Sequence, residues 1–237
     1  MHDRKKRDKV VDMCRRFLRS KEFSIREVAS LIGTLVATFP GVEFGPLHYR
    51  NLEHDKDMAL KVNFGDYEQK MSLCDDSIKE LEWWVTSIPT AVKKIDHGTP
   101  TITLTADASH TGWGATANGK ETQGLWAQNE RDCHINILEL HAVELGLLAL
   151  LDKTSGQHIR IMSDNTTTVT YINAMGGCKS EGCNHIAKQI WFWAIDRNNW
   201  ISAAHQPGHL NVTADFLSRH FNDAIEWQLD THIFREI

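Results

Sequence analysis

The sequence predicts a mixed α/β fold, a five-stranded sheet flanked by helices, preceded by a small all-helical module. Apolar residues recur at helical spacing through residues 1–89, whereas residues 101–237 alternate strand and helix patterns. A stretch rich in turn and charged residues, 90–100, separates the two regions. We therefore expect a helical module at 1–89, a linker at 90–100 and an α/β domain at 101–237.

Composition narrows the class of protein. The chain has 237 residues, of which 41% are hydrophobic and 24% charged, with a net charge of −5. This composition excludes global disorder and a uniformly basic nucleic-acid binder. No apolar run approaches the roughly 18 residues of a membrane span, and no secretory signal pattern follows Met1. Five irregularly spaced cysteines suit a reducing compartment, so we expect an intracellular protein, cytoplasmic or nuclear, without a membrane partner.

Positive charge is concentrated at the start of the chain. Residues 1–21 contain nine Lys or Arg and three Asp, a net charge of +6, which leaves −11 for the remainder. Such a run is either a solvated helix face or an arm that contacts phosphates. Both interpretations stay open at this point.

Three helices are predicted in the first module. Ser24-Ile-Arg-Glu27 has the pattern of a capping box and precedes an apolar run that ends before Pro40-Gly41. A second helical pattern covers about 46–61. A third follows Asp75-Asp76 and ends at Pro89.

The α/β region begins with a predicted hairpin. Residues 102–106 alternate in the manner of a strand, and 112–117 and 120–127 are strand-like runs on either side of Asn118-Gly119, a strong signal for a tight hairpin turn. The elements expected after the hairpin are a helix at 137–153 capped by Asn136, a strand at 158–163, a helix from the cap Asp164 to Ala174, a helix at 185–198, a strand at 201–204 and a last helix at 211–219.

Four acids fall at the ends of these elements. Asp107 ends the first strand and Asp164 the fourth, so the two point to one end of any sheet in which these strands are neighbours. Glu139, in the first turn of the following helix, and Asp215, early in the last helix, can reach the same end. Mg²⁺ prefers such hard oxygen ligands, and two ions about 3.5–4 Å apart can stabilise both oxygens of a phosphodiester cleavage. Taken singly, however, these acids are better explained as ordinary surface or capping residues.

The surrounding motifs resemble the type 1 RNase H domain attached to reverse transcriptases, most closely that of DIRS/Ngaro-type retrotransposon polyproteins. The motifs occur in the order Thr105-Ala-Asp107-Ala-Ser-His-Thr-Gly112-Trp-Gly, Asn136-Ile-Leu-Glu139-Leu, Ser163-Asp164-Asn165-Thr-Thr and His205-Gln-Pro-Gly208-His-Leu-Asn211-Val-Thr-Ala-Asp215-Phe-Leu-Ser-Arg219. Ser30-Leu-Ile-Gly-Thr-Leu-Val-Ala-Thr-Phe-Pro-Gly and Gly45-Pro-Leu-His-Tyr-Arg also resemble the thumb or connection segment that follows the polymerase palm in that group.

The resemblance implies an RNase H-like fold and a metal-dependent endonuclease that cuts the RNA strand of RNA:DNA hybrids, leaving 3′-hydroxyl and 5′-phosphate ends. It implies that two Mg²⁺ ions, or Mn²⁺ in their place, are held by Asp107, Glu139, Asp164 and Asp215. His205 matches the loop histidine that assists proton transfer or product release, and an imidazole suits that role. His209, close by, is the other candidate.

Recognition of a hybrid would depend on polar groups around these acids. The 2′-hydroxyls of the RNA strand distinguish it from DNA, and phosphate contacts fix its position. Candidate contacts are Ser109, Asn136, Asn165, Thr166, Asn211 and Arg219, of which the last two are alternatively orienters of Asp215. Residues 99–237 carry a net charge of −6. We therefore expect the helical module, or a polymerase part as partner, to supply much of the affinity.

Other interpretations remain. The chain has no Tyr-x-Asp-Asp motif, so no polymerase activity is expected of it alone. It is expected to be either a C-terminal piece of a larger polyprotein or the product of a decayed or re-used element. A catalytically inactive nucleic-acid-binding remnant of the same fold is the alternative, although all four acids are present. A different metal nuclease or an integrase is disfavoured because the last acid is an Asp within Asn-x-x-Ala-Asp. Cys178, Cys183 and His185 suggest a zinc site but lack a fourth ligand, so free thiols are preferred.

Overall fold

The structure, a computed structural model, describes residues 2–221, with side chains from residue 5 onward. The first part contains four helices and a short two-stranded ladder. These elements are α1 (His2–Arg19), β1 (Phe23–Ser24), α2 (Ile25–Val36), a 3₁₀ turn (Gly45–Leu47), α3 (Arg50–Val62), β2 (Lys70–Met71) and α4 (Asp75–Ser87). The predicted capping box is confirmed at α2, where Ser24 accepts from the Glu27 N–H and Glu27 accepts from the Ser24 N–H.

Three details of this part differ from the prediction. Helix α1 was not among the three predicted helices. The second helix begins at Arg50 instead of near residue 46, because the chain around Pro46 forms a separate 3₁₀ turn. The region is also not entirely helical, since β1 and β2 pair antiparallel, with Phe23 opposite Met71. Two-residue strands carry too little alternation to be visible in sequence.

The second part is a five-stranded mixed sheet with helices. Its elements are β3 (Ile102–Ala108), β4 (Gly112–Ala117), β5 (Lys120–Leu125), α5 (Ile135–Leu151), β6 (His158–Ser163), α6 (Thr166–Asn173), α7 (Glu181–Asp196), β7 (Trp200–His205), a 3₁₀ turn (Gly208–Leu210) and α8 (Val212–Arg219). The strand order is β5-β4-β3-β6-β7. The pairs β3–β4 and β4–β5 are antiparallel, whereas β3–β6 and β6–β7 are parallel. This order and these directions are the RNase H-like fold that the sequence predicts.

The hairpin between β4 and β5 is confirmed. Asn118 and Gly119 both have positive φ, 52° and 72°, as a two-residue hairpin turn requires. The pairing Ala117↔Lys120 places these two residues alone in the turn.

Helices cover both faces of the sheet. A Cβ on Gly114 would meet α8 at Leu217, and the Cβ of Ala115 lies 2.7 Å from where a side chain on Gly146 of α5 would begin. Because neighbouring residues of a strand point to opposite faces, α5 and α8 lie on opposite sides of β4. The hydrophobic core of this part includes Leu104, Val143 and Ile161, which are fully buried.

Helix α7 begins at Glu181, four residues before its predicted start, and is capped by Ser180. Two predicted helix caps are wrong. Helix α5 begins at Ile135 and is capped by His134, whose side chain accepts from the Asn136 N–H, so Asn136 lies inside the helix. Helix α6 is capped by Asn165, which accepts from the Thr168 N–H, and not by Asp164. In both cases the neighbouring residue, His134 or Asn165, accepts the hydrogen bond from the free N–H of the first turn. The Asp164 carboxylate is therefore available for other contacts.

The two parts of the chain pack against each other. Leu47 belongs to the hydrophobic core of the second part, and the Phe44 ring lies 6.3 Å from that of Trp191. The buried carboxylate of Glu80 on α4 pairs with Lys188 on α7 at 2.6 Å. The predicted linker is attached as well, since the Lys94 N–H donates to Glu43. The division at 1–89, 90–100 and 101–237 remains a proposal, and its last limit lies outside the described residues.

Within residues 2–221, no helix is both long enough and apolar enough to span a bilayer.

Candidate active site

Four separate elements carry the predicted acids. Asp107 is the penultimate residue of β3, and Asp164 directly follows β6, its parallel neighbour. Asp215 lies in the first turn of α8. Glu139 lies in the second turn of α5 instead of the first, because this helix begins two residues earlier than predicted. The neighbouring strands therefore bring Asp107 and Asp164 to one end of the sheet, as their positions predict.

Three of the four acids form a compact cluster. Asp107, Glu139 and Asp164 each offer a carboxylate oxygen, and these oxygens lie within 4.8 Å of one another. Asp107 and Glu139 are only 3% and 6% exposed. Asp215 is outside this cluster, half-exposed and paired with Arg219 at 2.7 Å. It is still close enough for its charge to act on Asp107.

The cluster is electrostatically unfavourable as it stands. The pKa of Asp107 is raised to about 6, mainly by burial and in part by the charges of Asp164 and Asp215, against the opposing hydrogen bond from Ser218. The pKa of Glu139 is raised to about 9, mainly by burial and in part by the charges of Asp107 and Asp164. Positive charge placed among these oxygens would relieve both the burial of charge and the repulsion.

The donor set fits a divalent cation of the Mg²⁺ class. The buried Glu139 Oε2 has no hydrogen-bond partner, an uncommon state for a buried polar atom. Three clustered carboxylates supply only hard oxygen atoms, which Mg²⁺ and Mn²⁺ accept and which the softer thiolate-preferring metals do not favour.

The two histidines lie on the segment that follows β7. His205 ends that strand opposite Ser163, the residue before Asp164, and its side chain is exposed. His209 is exposed in the 3₁₀ turn that follows. The same segment brings Gly208 against the cluster, where a Cβ would lie 3.1 Å from Asp164 Oδ2.

The residues predicted to contact nucleic acid fall into two groups. Asn136 and Asn165 are joined by a 2.9 Å hydrogen bond, and Thr166 is exposed beside them at the start of α6. The Ser109 hydroxyl is used inside the fold, donating to the Ser218 carbonyl at 2.7 Å. Asn211 is buried and donates to Asp107 at 3.3 Å.

Arg219 is exposed and paired with Asp215, which agrees with the orienting alternative and leaves part of its guanidinium on the surface. Contacts of all six residues with nucleic acid remain predictions.

Sequence analysis missed two residues of this site. Ser218 is fully buried and donates to Asp107 Oδ2 at 2.7 Å. The signal was its place one turn after Asp215, which puts both on one face of α8. Gly208 was quoted only as part of a motif, although its lack of a side chain admits the loop against Asp164.

Among the described residues, the three carboxylates are the one grouping of three or more candidate ligands. Within residues 2–221, Cys178, Cys183 and His185 form no such grouping, and the five cysteines form no disulfide.

No protein-family model and no curated protein matches the chain. Solved structures similar to it include an RNase H1 isolated from compost, in complex with an RNA/DNA hybrid, with 17% identity and a TM-score of 0.43 over 49% of this chain and 93% of that one. The RNase H1 of Halobacterium salinarum has 14% identity and a TM-score of 0.40 over 49% and 91%. A foamy viral protease-reverse transcriptase in complex with an RNA/DNA hybrid has 13% identity and a TM-score of 0.31 over 84% and 26%. The strand order and directions, not these scores, define the fold.

Proposed function

We propose that this chain is a metal-dependent endonuclease that hydrolyses the RNA strand of RNA:DNA hybrids. The observation that carries the proposal is the convergence of Asp107, Glu139 and Asp164 at one end of an RNase H-like sheet. The unpartnered Glu139 Oε2 and the raised pKa values of Asp107 and Glu139 support it, because the charge of Arg219 offsets the burial and repulsion of these acids only in part.

The three clustered carboxylates and Asp215 would hold two Mg²⁺ ions, or Mn²⁺. Such ions supply charge neutralisation and a bound water of lowered pKa. Asp107 and Glu139 contribute buried, preformed ligand oxygens, whereas Asp215 is exposed enough to turn toward the cluster from its pair with Arg219. His205 or His209, both exposed on the adjoining segment, would take or return a proton during cleavage.

Recognition of the hybrid is assigned to the polar residues beside the acids. The paired side chains of Asn136 and Asn165, with Thr166, lie at the starts of α5 and α6 and can contact 2′-hydroxyls. Exposed cations on α1, among them Lys9, Arg15 and Arg19, can contact phosphates. This surface would supply the affinity that a domain with a net charge of −6 lacks.

The chain also belongs, in this proposal, to the C-terminal part of a DIRS/Ngaro-type reverse transcriptase, with a polymerase part as partner. The motifs around the four acids and in 30–50 support this context. An intracellular location, cytoplasmic or nuclear, is part of the proposal, since free thiols such as the five found here suit a reducing compartment.

The direct test is cleavage of a labelled RNA:DNA hybrid with and without Mg²⁺, using the full chain and Asp107→Asn. We expect Mg²⁺-dependent cleavage that the substitution lowers at least about 100-fold, because one ligand charge is lost. Asp76→Asn is the matched control, since this exposed carboxylate on α4 pairs only with Lys79. Activity that survives Asp107→Asn rejects the metal assignment, and binding without any cleavage by the full chain identifies an inactive remnant.

A further inference from the structure

The Ser218 side chain connects two of the acids. Its hydroxyl is fully buried, with Oγ 2.7 Å from Asp107 Oδ2 and 2.9 Å from the backbone oxygen of Asp215. A hydroxyl has one hydrogen to donate, and a carboxylate is the stronger acceptor. The hydrogen therefore belongs to the shorter contact, with Asp107.

The other oxygen of this carboxylate is held by the same segment of chain. Asn211, 1% exposed, donates from Nδ2 to Asp107 Oδ1 at 3.3 Å, while its own buried Oδ1 has no partner. Turning the amide over would place oxygen against oxygen, so the donation to Asp107 fixes its orientation. Both oxygens of Asp107 thus receive a hydrogen bond from residues 211–218.

The end of α8 is itself fixed to the strand that carries Asp107. Ser109, at the turn after β3, donates to the Ser218 carbonyl at 2.7 Å, and the Gly114 backbone lies directly against α8. The Ser218 hydroxyl is therefore attached to a rigid part of the fold, and it transmits that rigidity to the carboxylate.

We propose that Ser218 is a positioning residue that holds the Asp107 carboxylate in the orientation in which it can share a cation with Glu139 and Asp164. The proposal rests on the proposed function. Repulsion from the two neighbouring carboxylates favours rotation of Asp107 away from them, and a 2.7 Å hydrogen bond to Oδ2 opposes that rotation. Residues that orient ligands in this way commonly change metal affinity by about 10- to 100-fold.

A purely structural role is the competing explanation, and the chain offers a close control. Ser77 on α4 is also fully buried, and its hydroxyl lies 2.6 Å from the Asp55 carboxylate. It makes the same kind of bond in the helical region, with no cluster of acids around it among the described residues. Ser77→Ala therefore removes an equivalent bond without touching the proposed site.

The test compares full-length wild type, Ser218→Ala, Ser218→Cys and Ser77→Ala by calorimetric titration with Mn²⁺ in the absence of nucleic acid. We expect Mn²⁺ affinity to fall roughly 10-fold in Ser218→Ala and less in Ser218→Cys, whose thiol is a weaker donor, and to stay unchanged in Ser77→Ala. Thermal unfolding of each variant gives the folded fraction to which affinities are referred. In a cleavage assay, Ser218→Ala should lower kcat and leave KM for the hybrid unchanged.

The proposal would be overturned if folded Ser218→Ala bound Mn²⁺ as tightly as the wild type does. It would also be overturned if Ser218→Ala and Ser77→Ala lost equal amounts of Mn²⁺ affinity. The proposed function fails separately. If the wild type binds Mn²⁺ but cleaves no hybrid, and Ser218→Ala weakens that binding, the positioning role stands and the ribonuclease assignment falls. If the wild type cleaves the hybrid and Ser218→Ala binds Mn²⁺ as the wild type does, the ribonuclease assignment stands and the positioning role falls.

Discussion

In the described part of the chain, two sites bury carboxylates almost completely, and they differ in how the negative charge is balanced. Glu80 is 3% exposed and accepts hydrogen bonds from Lys188 and from the backbone N–H groups of Asn51 and Leu52. Glu139 is 6% exposed, yet its Oε2 has no partner.

The pKa shifts express the same difference. Burial raises the pKa of both groups, but the strongest charged neighbours act with opposite sign. Lys188 lowers the pKa of Glu80, with help from the N–H groups at the start of α3. Asp107 and Asp164 raise the pKa of Glu139, and the Ala108 N–H and Arg219 oppose them with smaller effects. The Glu80 site is complete within the chain and joins α4 to α7. At the Glu139 site the distant charge of Arg219 offsets burial and repulsion only in part, so these oxygens could hold an external cation.

The largest expected effect comes from breaking the complete site. Lys188→Met leaves the buried Glu80 charge with only its backbone donors, and should lower the free energy of unfolding by about 3–5 kcal/mol. Chemical denaturation measures the change. Lys79→Met is the control, because its pair with Asp76 is exposed and should have little effect on stability. Equal stability of the two variants would show that the Glu80–Lys188 pair does not hold the two parts of the chain together.

Removing a charge from the acid cluster should raise the free energy of unfolding, whereas removing Lys188 should lower it. In the metal-free protein, folded Glu139 keeps its proton up to about pH 9, whereas the unfolded chain loses it near the ordinary value of 4.5. The folded state thus binds more protons at pH 7–8.5, and stability should fall as pH rises, by up to about 1.4 kcal/mol per pH unit. Denaturation with a chelator present measures this slope. Glu139→Gln should flatten it and be more stable than the wild type at pH 8.5, and a wild-type slope in that variant would refute the assignment.

The smallest expected effect concerns the basic surface of α1. The triple variant Lys9→Gln, Arg15→Gln, Arg19→Gln should weaken hybrid binding and reduce the magnitude of the log–log salt slope by about 2–3, because each cation removed leaves one phosphate with its counterions. Filter binding across a salt series measures both quantities. A control removes three cations elsewhere, Lys120, Lys153 and Arg160, all of which are exposed. An equal loss of affinity in the control would mean that only total charge matters and that α1 is a solvated helix face.

Sequence patterns were sufficient for the elements that make the sheet. The Asn118-Gly119 turn and the positions of Asp107 and Asp164 at strand ends follow from local rules, and parallel pairing of β3 with β6 brings the two acids together. Local rules failed where several groups compete for one role. His134 and Asn165 cap the two helices for which Asn136 and Asp164 were the predicted caps. The cap is the acceptor that lies nearest to the free N–H groups, and which residue that is depends on backbone geometry.

Contacts between distant segments were beyond sequence reasoning. Ser218 reaches Asp107 across 111 positions, and Lys188 reaches Glu80 across 108. No periodicity or motif in the sequence indicates either pair. The first depends on how α8 packs against the sheet, and the second on how α4 packs against α7. The pair of Asp215 with Arg219 four residues away is local, by contrast, and it is the orienting alternative that the sequence offered.

The most direct test of the central claim is Mg²⁺ titration followed by thermal unfolding, on the wild type, Asp107→Asn and Lys79→Met. If the acid cluster lacks only a cation, Mg²⁺ should raise the melting temperature of the wild type and of Lys79→Met, with a stabilisation of about 1.4–2.7 kcal/mol at 10–100 times the dissociation constant. Asp107→Asn should show a much smaller rise. An equal rise in all three proteins, or none in the wild type, would contradict the account.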